Sequence, residues 1–373
     1  MSKARKTLTL DADLPMYRGG VLVRPTIAYE TWGALNPRRD NAVLIFTGLS
    51  PSAHAASSVE DPAPGWWEEM VGPGRAIDTR RFFAICVNSL GSCFGSTGPA
   101  SIDPAAGQPY RTSFPVLSLE DVARGGWEVI SHLGIERLHA VIGPSMGGMT
   151  ALAFEILFPG RSEGLVIISS GARSAAFSTA LRSLQREMIR RDPNWQGGHY
   201  SPDALPITGM RLARKLGMIT YRSAEEWRHR FGRERIAAER DSDDPFALDF
   251  EIESYLEHQA NKFTGQFDPN CYLYLSRASD LFDVADHGAS VETGLGKVRS
   301  RRVLVVGVTT DFLFPLYQQR ELAKLLDKPG RELELVELDC IQGHDSFLVN
   351  MDAFRPVISK FFAPVRDTLT GSA

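Results

Sequence analysis

One serine of this chain stands in a sequence that is typical of a catalytic nucleophile. Ser145 is at the centre of G-P-S-M-G, residues 143–147, which matches the G-x-S-x-G pattern of a nucleophile elbow. The two glycines allow a strand and a helix to meet closely around a serine whose backbone is strained. The flanking residues predict a short apolar strand (138–143) and an Ala-rich helix (146–158). We therefore expect Ser145 at a sheet edge, above a helix amino terminus that favours negative charge.

A hydroxyl near its free pKa is a weak nucleophile, so Ser145 needs a base and a group that orients this base. Asp311 comes directly after a predicted strand, and His344 lies in the loop after the next strand. Serine, aspartate and histidine in this order follow the chain order of α/β hydrolases. We predict that His344 takes the serine proton and that Asp311 holds the imidazole in the required tautomer. His54 is the rival base, although it precedes the serine.

The loop after the first core strand is the expected source of an oxyanion donor. Residues 42–47 form the continuous apolar run A-V-L-I-F-T, and T-G-L-S-P-S-A-H spans residues 47–54. In a sheet with a nucleophile elbow, this loop and the residue after the nucleophile offer backbone N–H groups to the oxyanion. The candidates are the N–H groups of Leu49 and Met146. The glycine and proline of the loop are explained equally well as ordinary turn residues.

The elements that must position these groups alternate between strands and helices. Short apolar runs bounded by turn residues are typical of strands that are buried on both faces of a parallel sheet. The predicted core strands are 42–47, 82–88, 138–143, 164–169 and 302–308, with an antiparallel pair at 7–10 and 21–29 before them, a last strand at 332–338 and a closing helix at 354–362. This alternation predicts an α/β fold with a mostly parallel central sheet.

The alternation of strands and helices stops in the middle of the chain. Between residues 172 and 296 the sequence has no clear buried strand, and helical patterns rich in arginine and aromatic residues replace the strands. The predicted helices are 177–191, 210–221, 224–231, 250–262 and 271–283. We predict a helical lid insertion, residues 172–296, over the carboxyl edge of the sheet. It separates two parts of the α/β core, residues 1–171 and 297–373.

Composition argues against several other classes of protein. The 373 residues are 43% hydrophobic and 23% charged, as in a soluble globular protein. A formal net charge of −4 argues against partners such as nucleic acid or a membrane surface. There is no apolar run long enough to span a bilayer and no signal-peptide pattern, so we expect a cytoplasmic protein. The four widely spaced cysteines and the scattered histidines predict neither a disulfide framework nor a metal site.

With these residues placed, the chain resembles the homoserine/serine O-acyltransferase family of α/β-hydrolase-fold enzymes. The matching segments include A-Y-E-T-W-G (28–33), G-W-W-E-E-M-V-G-P-G-R-A-I-D-T (65–79), S-M-G-G-M (145–149), D-F-L-F-P (311–315) and G-H-D-S-F-L (343–348). The resemblance implies transfer of an acyl group from acyl-CoA to the hydroxyl of a small amino acid, through an acyl-serine enzyme. It places the family's nucleophile, acid and base on Ser145, Asp311 and His344. It also implies a homodimer, with acyl-CoA as co-substrate and no other cofactor.

The resemblance further implies where the amino acid binds. The family's substrate-binding Arg and Tyr, which are seven residues apart, fall on Arg214 and Tyr221, and the Asp after the catalytic His falls on Asp345. These residue types suit an amino acid, because a guanidinium binds a carboxylate through two hydrogen bonds and a carboxylate binds an ammonium group. Holding both ends would direct the acceptor hydroxyl to His344, and such orientation lowers the barrier by several kcal/mol.

Finer similarities concern the choice of acceptor and donor. The segments T-G-L-S-P-S-A-H-A-A (47–56) and D-P-N-C-Y-L-Y-L-S-R (268–277) are most similar to the serine-using branch, especially serine O-succinyltransferases, which implies a role in cysteine biosynthesis. Homoserine enzymes more often have a small residue where this chain has Pro144. Succinyl-using homoserine enzymes have an Arg where this chain has Leu313, but the serine-succinylating branch lacks that Arg as well. Arg182 is the candidate cation for the succinyl carboxylate.

Other functions stay open at this point. A serine O-acetyltransferase differs only in the donor. A homoserine O-acetyl- or O-succinyltransferase differs in one methylene of the acceptor, a difference of about 1–3 kcal/mol in a hydrophobic pocket. A plain esterase or peptidase would share the same three catalytic side chains. A binding module without catalysis would share only the fold.

Overall fold

The computed structural model describes residues 2–236 and 244–364, and its centre is an eight-stranded sheet. The strands are β1 (Lys6–Thr9), β2 (Thr26–Trp32), β3 (Ala42–Phe46), β4 (Phe83–Val87), β5 (Leu138–Pro144), β6 (Ser162–Ile168), β7 (Arg302–Val308) and β8 (Glu332–Leu338). In space the strands follow the order β1-β2-β4-β3-β5-β6-β7-β8. The predicted core strands are therefore confirmed.

The sheet is mostly parallel, as predicted. The strands from β4 to β8 in the spatial order pair in parallel, whereas β2 is antiparallel to both of its neighbours. All five residues of β3 are buried, which explains why its sequence is a continuous apolar run rather than an alternating one. Because parallel strands end at one edge, the loops after β3, β5, β7 and β8 meet there.

The prediction of one strand at 21–29 is wrong. Val21–Leu22 pairs with Leu14–Pro15, and only the second half, β2, pairs with β1 in the main sheet. The chain turns between these pairings at Arg24, which has a positive φ of 40° and precedes Pro25. A left-handed residue before a proline interrupts the extended backbone, and apolar periodicity does not reveal this interruption.

Helices cover both faces of the sheet and fill the middle of the chain. They are α1 (Leu119–His132), α2 (Met146–Leu157), α3 (Ala176–Arg191), α4 (Ile207–Tyr221), α5 (Ala224–Arg230), α6 (Glu251–Phe263), α7 (Pro269–Leu281), α8 (Val291–Leu295), α9 (Leu316–Leu326), α10 (Ser346–Val349) and α11 (Met351–Phe362). In β3, Leu44 and Phe46 pack in the core cluster that includes α1, α2 and α9, and Val43 and Ile45 pack in the cluster that includes α11. The sheet is thus the middle layer of three.

The segment between β6 and β7 contains helices α3 to α8 and no strand of the main sheet in its described residues. It contacts both loops that carry the predicted acid and base. Ser178 of α3 donates a hydrogen bond of 2.5 Å to the carbonyl of Leu313, and Ser223, after α4, donates to the carbonyl of Ile341. The division of the chain at residues 172 and 296 stays a prediction, but these contacts join the helices to the sheet edge.

Several sequence expectations concern features other than the sheet. No helix within residues 2–236 and 244–364 is long and apolar enough to cross a membrane. The same residues contain no group of three or more His, Cys, Asp or Glu side chains arranged to hold a metal ion. All four cysteines are free thiols, and Cys86 is buried in β4.

A buried carboxyl group joins helix α2 to the starts of two strands. Glu155 of α2 has no exposed surface and accepts hydrogen bonds from the hydroxyls of Ser162 and Ser300. Burial raises the pKa of Glu155 to about 7, because the ionised form loses its hydration. The protonated carboxyl is therefore the form that the folded protein favours below neutral pH.

We expect the stability of this protein to fall as the pH rises through the pKa of Glu155. Because the folded-state pKa is about 7 and the ordinary value is 4.5, the stabilisation is complete below pH 4.5 and is lost as the pH approaches and passes 7. The loss is about 3 kcal/mol. Glu155→Gln keeps the shape and removes the charge, so thermal unfolding between pH 5 and pH 8 should show a smaller decline for the variant. Parallel pH profiles of the two proteins would contradict this assignment.

Candidate active site

Ser145 occupies a strained turn between β5 and α2. Its φ is 56° and its ψ is −125°, a backbone conformation that few residues other than glycine adopt. A side chain at Gly143 would overlap the carbonyl of Gly147, and one at Gly147 would overlap the carbonyl of Phe46. Both glycines are thus required by close backbone approach. This geometry is that of a nucleophile elbow.

The backbone of Ser145 is held on both sides. Its N–H donates to the carbonyl of Ile168 at 2.9 Å, and its carbonyl accepts a 2.7 Å hydrogen bond from the hydroxyl of Ser170. Both partners lie at the end of the neighbouring strand β6. The strain at the serine is therefore offset by hydrogen bonds to a rigid element.

The structure brings the predicted serine, aspartate and histidine together. The Nε2 atom of His344 is 2.8 Å from the Oγ atom of Ser145, and its Nδ1 atom is 2.7 Å from Oδ2 of Asp311. The other carboxylate oxygen of Asp311 accepts the backbone N–H groups of Leu313 and Phe314, each at 2.9 Å. Both carboxylate oxygens of Asp311 thus have hydrogen-bond partners, and the partner of Oδ2 is the imidazole. This is the arrangement of a general base beside an activated nucleophile.

The surroundings of His344 favour a base that is easily protonated. The ring is buried, stacks on Phe314 at a centroid distance of 5.3 Å, and lies 6.0 Å from the ring of Tyr221. Burial lowers the pKa of His344, but the charge and hydrogen bond of Asp311 outweigh burial, so that the pKa is raised above its ordinary value. The imidazolium that forms during catalysis is therefore stabilised.

The predicted oxyanion donors border the same cavity as Ser145. Leu49 and Met146 both line it. Met146 is the first residue of α2, a position whose N–H has no acceptor within the helix. The N–H of Leu49 has no hydrogen bond to a described residue. Two N–H groups beside the nucleophile are what a negatively charged tetrahedral intermediate requires.

His54, the rival base, forms its hydrogen bonds with residues other than Ser145. Its Nδ1 atom is 2.8 Å from a carboxylate oxygen of Glu30, and its Nε2 atom is 2.8 Å from the carbonyl of Ala63. Burial lowers the pKa of His54, and the hydrogen bonds to Glu30 and Ala63 raise it more strongly. Since both ring nitrogens face acceptors, these contacts favour the doubly protonated form of His54. It fixes the end of the loop that carries Leu49.

The predicted amino-acid-binding residues lie beside the cavity. Tyr221 lines it, and the guanidinium of Arg214 lies 5.9 Å from the Tyr221 ring and 4.4 Å from the Phe263 ring. Arg214 has no hydrogen bond or ion pair with a described residue, and its Nε atom is buried. A partly buried guanidinium that rests on aromatic rings, with no ion pair to a described residue, suits an anion.

Asp345 follows His344 and is paired with a residue that sequence reasoning missed. The Nε atom of Arg222 lies 3.3 Å from Oδ2 of Asp345. Burial raises the pKa of Asp345, and the charges of Arg222, His344 and Arg214 oppose this rise. Arg222 comes directly after Tyr221 at the end of α4, so its position next to a predicted site residue was the available signal.

Arg182 lines the catalytic cavity but already has protein partners. Its Nε atom is 2.7 Å from Oδ1 of Asp280, and its Nη2 atom is 2.5 Å from the hydroxyl of Ser174. Arg186 lies 2.7 Å from the other oxygen of Asp280. The Nη1 atom of Arg182 has no hydrogen bond to a described residue. One face of the guanidinium is therefore available to a further anion.

The catalytic cavity is narrow, with a volume of about 40 Å³. Core loops supply Leu49, Met146 and Leu313 to its wall, and the helices of the middle segment supply Arg182, Tyr221 and Tyr272. Tyr272 was not predicted, since nothing in an apolar helix pattern shows which tyrosine faces a site. The site is thus formed jointly by the sheet edge and the helices above it.

Comparison with known proteins agrees with this architecture. A family model described as the alpha/beta hydrolase fold matches residues 41–350. A serine O-succinyltransferase of Litchfieldella anticariensis is 55% identical over 364 residues, which cover 97% of this chain and 99% of the relative. One of Frateuria aurantia is 56% identical over 363 residues, with coverage of 97% and 99%.

Solved structures show the same fold in proteins of two activities. A homoserine O-acetyltransferase from Bacillus anthracis is 30% identical, with a TM-score of 0.88 and coverage of 96% of both chains. Esterase E22 is 29% identical, with a TM-score of 0.87 and coverage of 96% of this chain and 99% of the esterase. The fold alone therefore does not separate transfer from hydrolysis.

We expect the reaction of Ser145 with a fluorophosphonate probe to require neutral His344. Because the pKa of His344 is raised above 6.5, the labelling rate should fall as the pH is lowered, with a midpoint above 6.5. Asp311→Asn removes the charge that raises the pKa, so its midpoint should move to lower pH and its rate should fall by about three to four orders of magnitude. His54→Gln is the matched control and should keep the wild-type midpoint. An unchanged midpoint in Asp311→Asn would contradict the assignment of the base.

Proposed function

The chain belongs to the α/β-hydrolase-fold family, in the group that contains the serine O-succinyltransferases, and we propose that it transfers the succinyl group of succinyl-CoA to the hydroxyl of L-serine. One observation carries this proposal. The hydrogen-bonded chain of Ser145, His344 and Asp311 opens into a cavity beside the partly buried guanidinium of Arg214, which has no carboxylate partner among the described residues. Such a site suits an acceptor that brings its own carboxylate.

The first half of the reaction forms an acyl-enzyme. His344 takes the proton of Ser145 as its Oγ atom attacks the thioester carbonyl of the donor. The N–H groups of Leu49 and Met146 stabilise the negative oxygen of the tetrahedral intermediate. The C–S bond then breaks, and CoA leaves with the proton from His344. Succinate is now joined to Ser145 as an ester.

The second half of the reaction needs an acceptor in a defined orientation. The carboxylate of L-serine binds Arg214, with help from the hydroxyl of Tyr221, and its ammonium group binds Asp345. These two contacts direct the acceptor hydroxyl to His344, which removes its proton as the oxygen attacks the ester carbonyl. Ser145 regains its proton from His344, and O-succinyl-L-serine leaves. The reaction as written needs no cofactor besides the acyl-CoA co-substrate.

Asp345 has an existing partner in Arg222, which affects how it binds the ammonium group. Burial raises the pKa of Asp345, and the charge of the Arg222 guanidinium offsets part of this rise. Arg222 therefore opposes protonation of the carboxylate that is proposed to bind the ammonium group. Arg222 thus supports the acceptor site without touching the reacting atoms.

Transfer competes with hydrolysis of the acyl-enzyme. Water has neither the carboxylate that Arg214 binds nor the ammonium group that Asp345 binds, so it gains no orientation from this site. The narrow cavity and the helices around it exclude most of the solvent. These features favour an acyltransferase over the esterase activity of a structural neighbour. The homodimer implied by the resemblance and the cytoplasmic location expected from the sequence stay predictions.

The proposed function predicts a ranking of substrates. We expect kcat/KM to be largest for L-serine with succinyl-CoA, with L-homoserine lower by about tenfold, which is the discrimination available from one methylene. Release of CoA without an acceptor should be much slower, and Ser145→Ala should abolish both reactions. The measurement is CoA release with each acceptor, paired in turn with succinyl-CoA and acetyl-CoA. A larger value for L-homoserine, or equal release without an acceptor, would overturn the proposal.

The role of Arg182 in donor choice is a separate prediction. A succinyl carboxylate requires a cation near the acyl chain, and Arg182 lines the cavity with one nitrogen free of hydrogen bonds. Arg182→Ala should therefore lower kcat/KM for succinyl-CoA by about tenfold or more, and the value for acetyl-CoA much less. Acetyl-CoA serves as the internal control for folding and for the triad. Equal losses with both donors would exclude this role.

A further inference from the structure

A second and larger cavity contains four arginines. It is a groove of about 720 Å³ against helices α3 and α7, which is within the size range of small-molecule sites. Its lining includes Arg18, Arg186, Arg190 and Arg277, the aromatic rings of Trp195 and Tyr274, and no acidic side chain. We call it the arginine groove. Guanidinium groups beside aromatic rings suit a phosphorylated ligand that has a flat base.

The arginine groove has an excess of positive charge. Arg18 is 3.2 Å from Asp286, and Arg186 is 2.7 Å from Asp280, so these two already have carboxylate partners. Arg190 lies over the ring of Trp195 at 5.6 Å and, like Arg277, has no hydrogen bond or ion pair with a described residue. Two guanidinium groups thus remain available to an anion.

The arginine groove and the catalytic cavity share two helices as their walls. Each helix contributes residues to both. Helix α3 contributes Arg182 and Gln185 to the cavity, and Ser183, Arg186 and Arg190 to the groove. Helix α7 contributes Tyr272 and Ser279 to the cavity, and Leu273, Tyr274, Arg277 and Leu281 to the groove. Asp280 of α7 lies between them, because it pairs with both Arg182 and Arg186. The groove therefore adjoins the catalytic cavity.

The nucleotide end of acyl-CoA cannot lie in the catalytic cavity. That cavity has a volume of about 40 Å³, and Arg182, the arginine in its wall, is paired with Asp280 and is the proposed partner of the succinyl carboxylate. The adenosine 3′-phosphate 5′-diphosphate part of CoA is strongly anionic and is far larger than this space. Its phosphates must find cations outside the cavity, within reach of the flexible arm that ends in the thioester.

A second hollow with several cations is in the wrong place. It is lined by Arg299, Arg301, Lys328 and Arg331, next to the first residues of β7 and β8. Ser145 follows the last residue of β5, whereas this hollow is next to the first residues of β7 and β8. Because the strands from β5 to β8 are parallel, the hollow lies at the edge of the sheet opposite to Ser145. A donor bound there could not bring its thioester to Ser145.

We propose that the arginine groove binds the nucleotide end of the acyl-CoA donor, with phosphates on Arg190 and Arg277 and the adenine ring against Trp195 or Tyr274. This inference rests on the proposed use of an acyl-CoA donor. Phosphate contacts of this kind add affinity for the donor and do not take part in bond breaking. They should therefore affect KM for the donor and leave kcat unchanged.

The test compares donors with and without the nucleotide. The variant is Arg190→Gln with Arg277→Gln, since neither side chain has an ion pair whose loss would disturb folding. With succinyl-CoA, KM should rise by about tenfold or more, with kcat within about twofold of wild type. With the succinyl thioester of N-acetylcysteamine, which lacks the nucleotide, kcat/KM should be unchanged. Adenosine 3′,5′-bisphosphate should inhibit the wild type competitively against succinyl-CoA and the variant at least about tenfold more weakly.

A matched control is Arg299→Gln with Lys328→Gln in the opposite hollow, which should behave as wild type with both donors. An unchanged KM for succinyl-CoA in the groove variant, or equal losses with both donors, would overturn the inference and leave the proposed function intact. Failure of the wild-type protein to use any acyl-CoA would overturn the proposed function, and this inference with it.

Discussion

The site depends on the imidazole of His344, which is held at both nitrogens in a buried place. Asp311 fixes one nitrogen at 2.7 Å, and Ser145 lies 2.8 Å from the other. This alignment joins three loops that are distant in the chain and meet only because β5, β7 and β8 end at the same edge. Two backbone N–H groups and the imidazole supply hydrogen-bond partners to the buried carboxyl group of Asp311. A change in any of the three loops would therefore move the base away from the nucleophile.

The helices between β6 and β7 do more than cover this edge. Ser178 binds the carbonyl of Leu313 in the loop of the acid, and Ser223 binds the carbonyl of Ile341 in the loop of the base. Gly343, with a φ of 66°, has no room for a side chain, since its Cβ atom would lie 2.8 Å from the nitrogen of Ser223. The helices that carry the proposed substrate-binding residues thus also hold the loops that carry Asp311 and His344. The same helix-to-loop hydrogen bonds therefore position both groups of residues.

Much of this arrangement could be predicted from the sequence, and the missing part has a common physical cause. The strands β7 and β8 were predicted with the bounds they have, β7 because a strand buried on both faces leaves a continuous apolar run and β8 because a half-buried edge strand leaves a largely alternating one. The positions of Ser145, Asp311 and His344 followed from where such strands end. The pairing of Arg182 with Asp280 and of Arg222 with Asp345 could not be predicted, because it depends on how the helices of the middle segment pack. In these helices, a surface arginine and a buried one have the same pattern.

The charges around the triad are the physical basis of the proposed preference for transfer over hydrolysis. Arg214 is partly buried and has no ion pair with a described residue, so it is available to a carboxylate. In the proposed reaction, an acceptor with a carboxylate gains binding energy there that water and simple alcohols lack. Its amino group binds Asp345 in the same proposal. The two contacts would place the acceptor hydroxyl at His344, where the binding energy lowers the barrier to transfer. An esterase with the same triad needs neither contact.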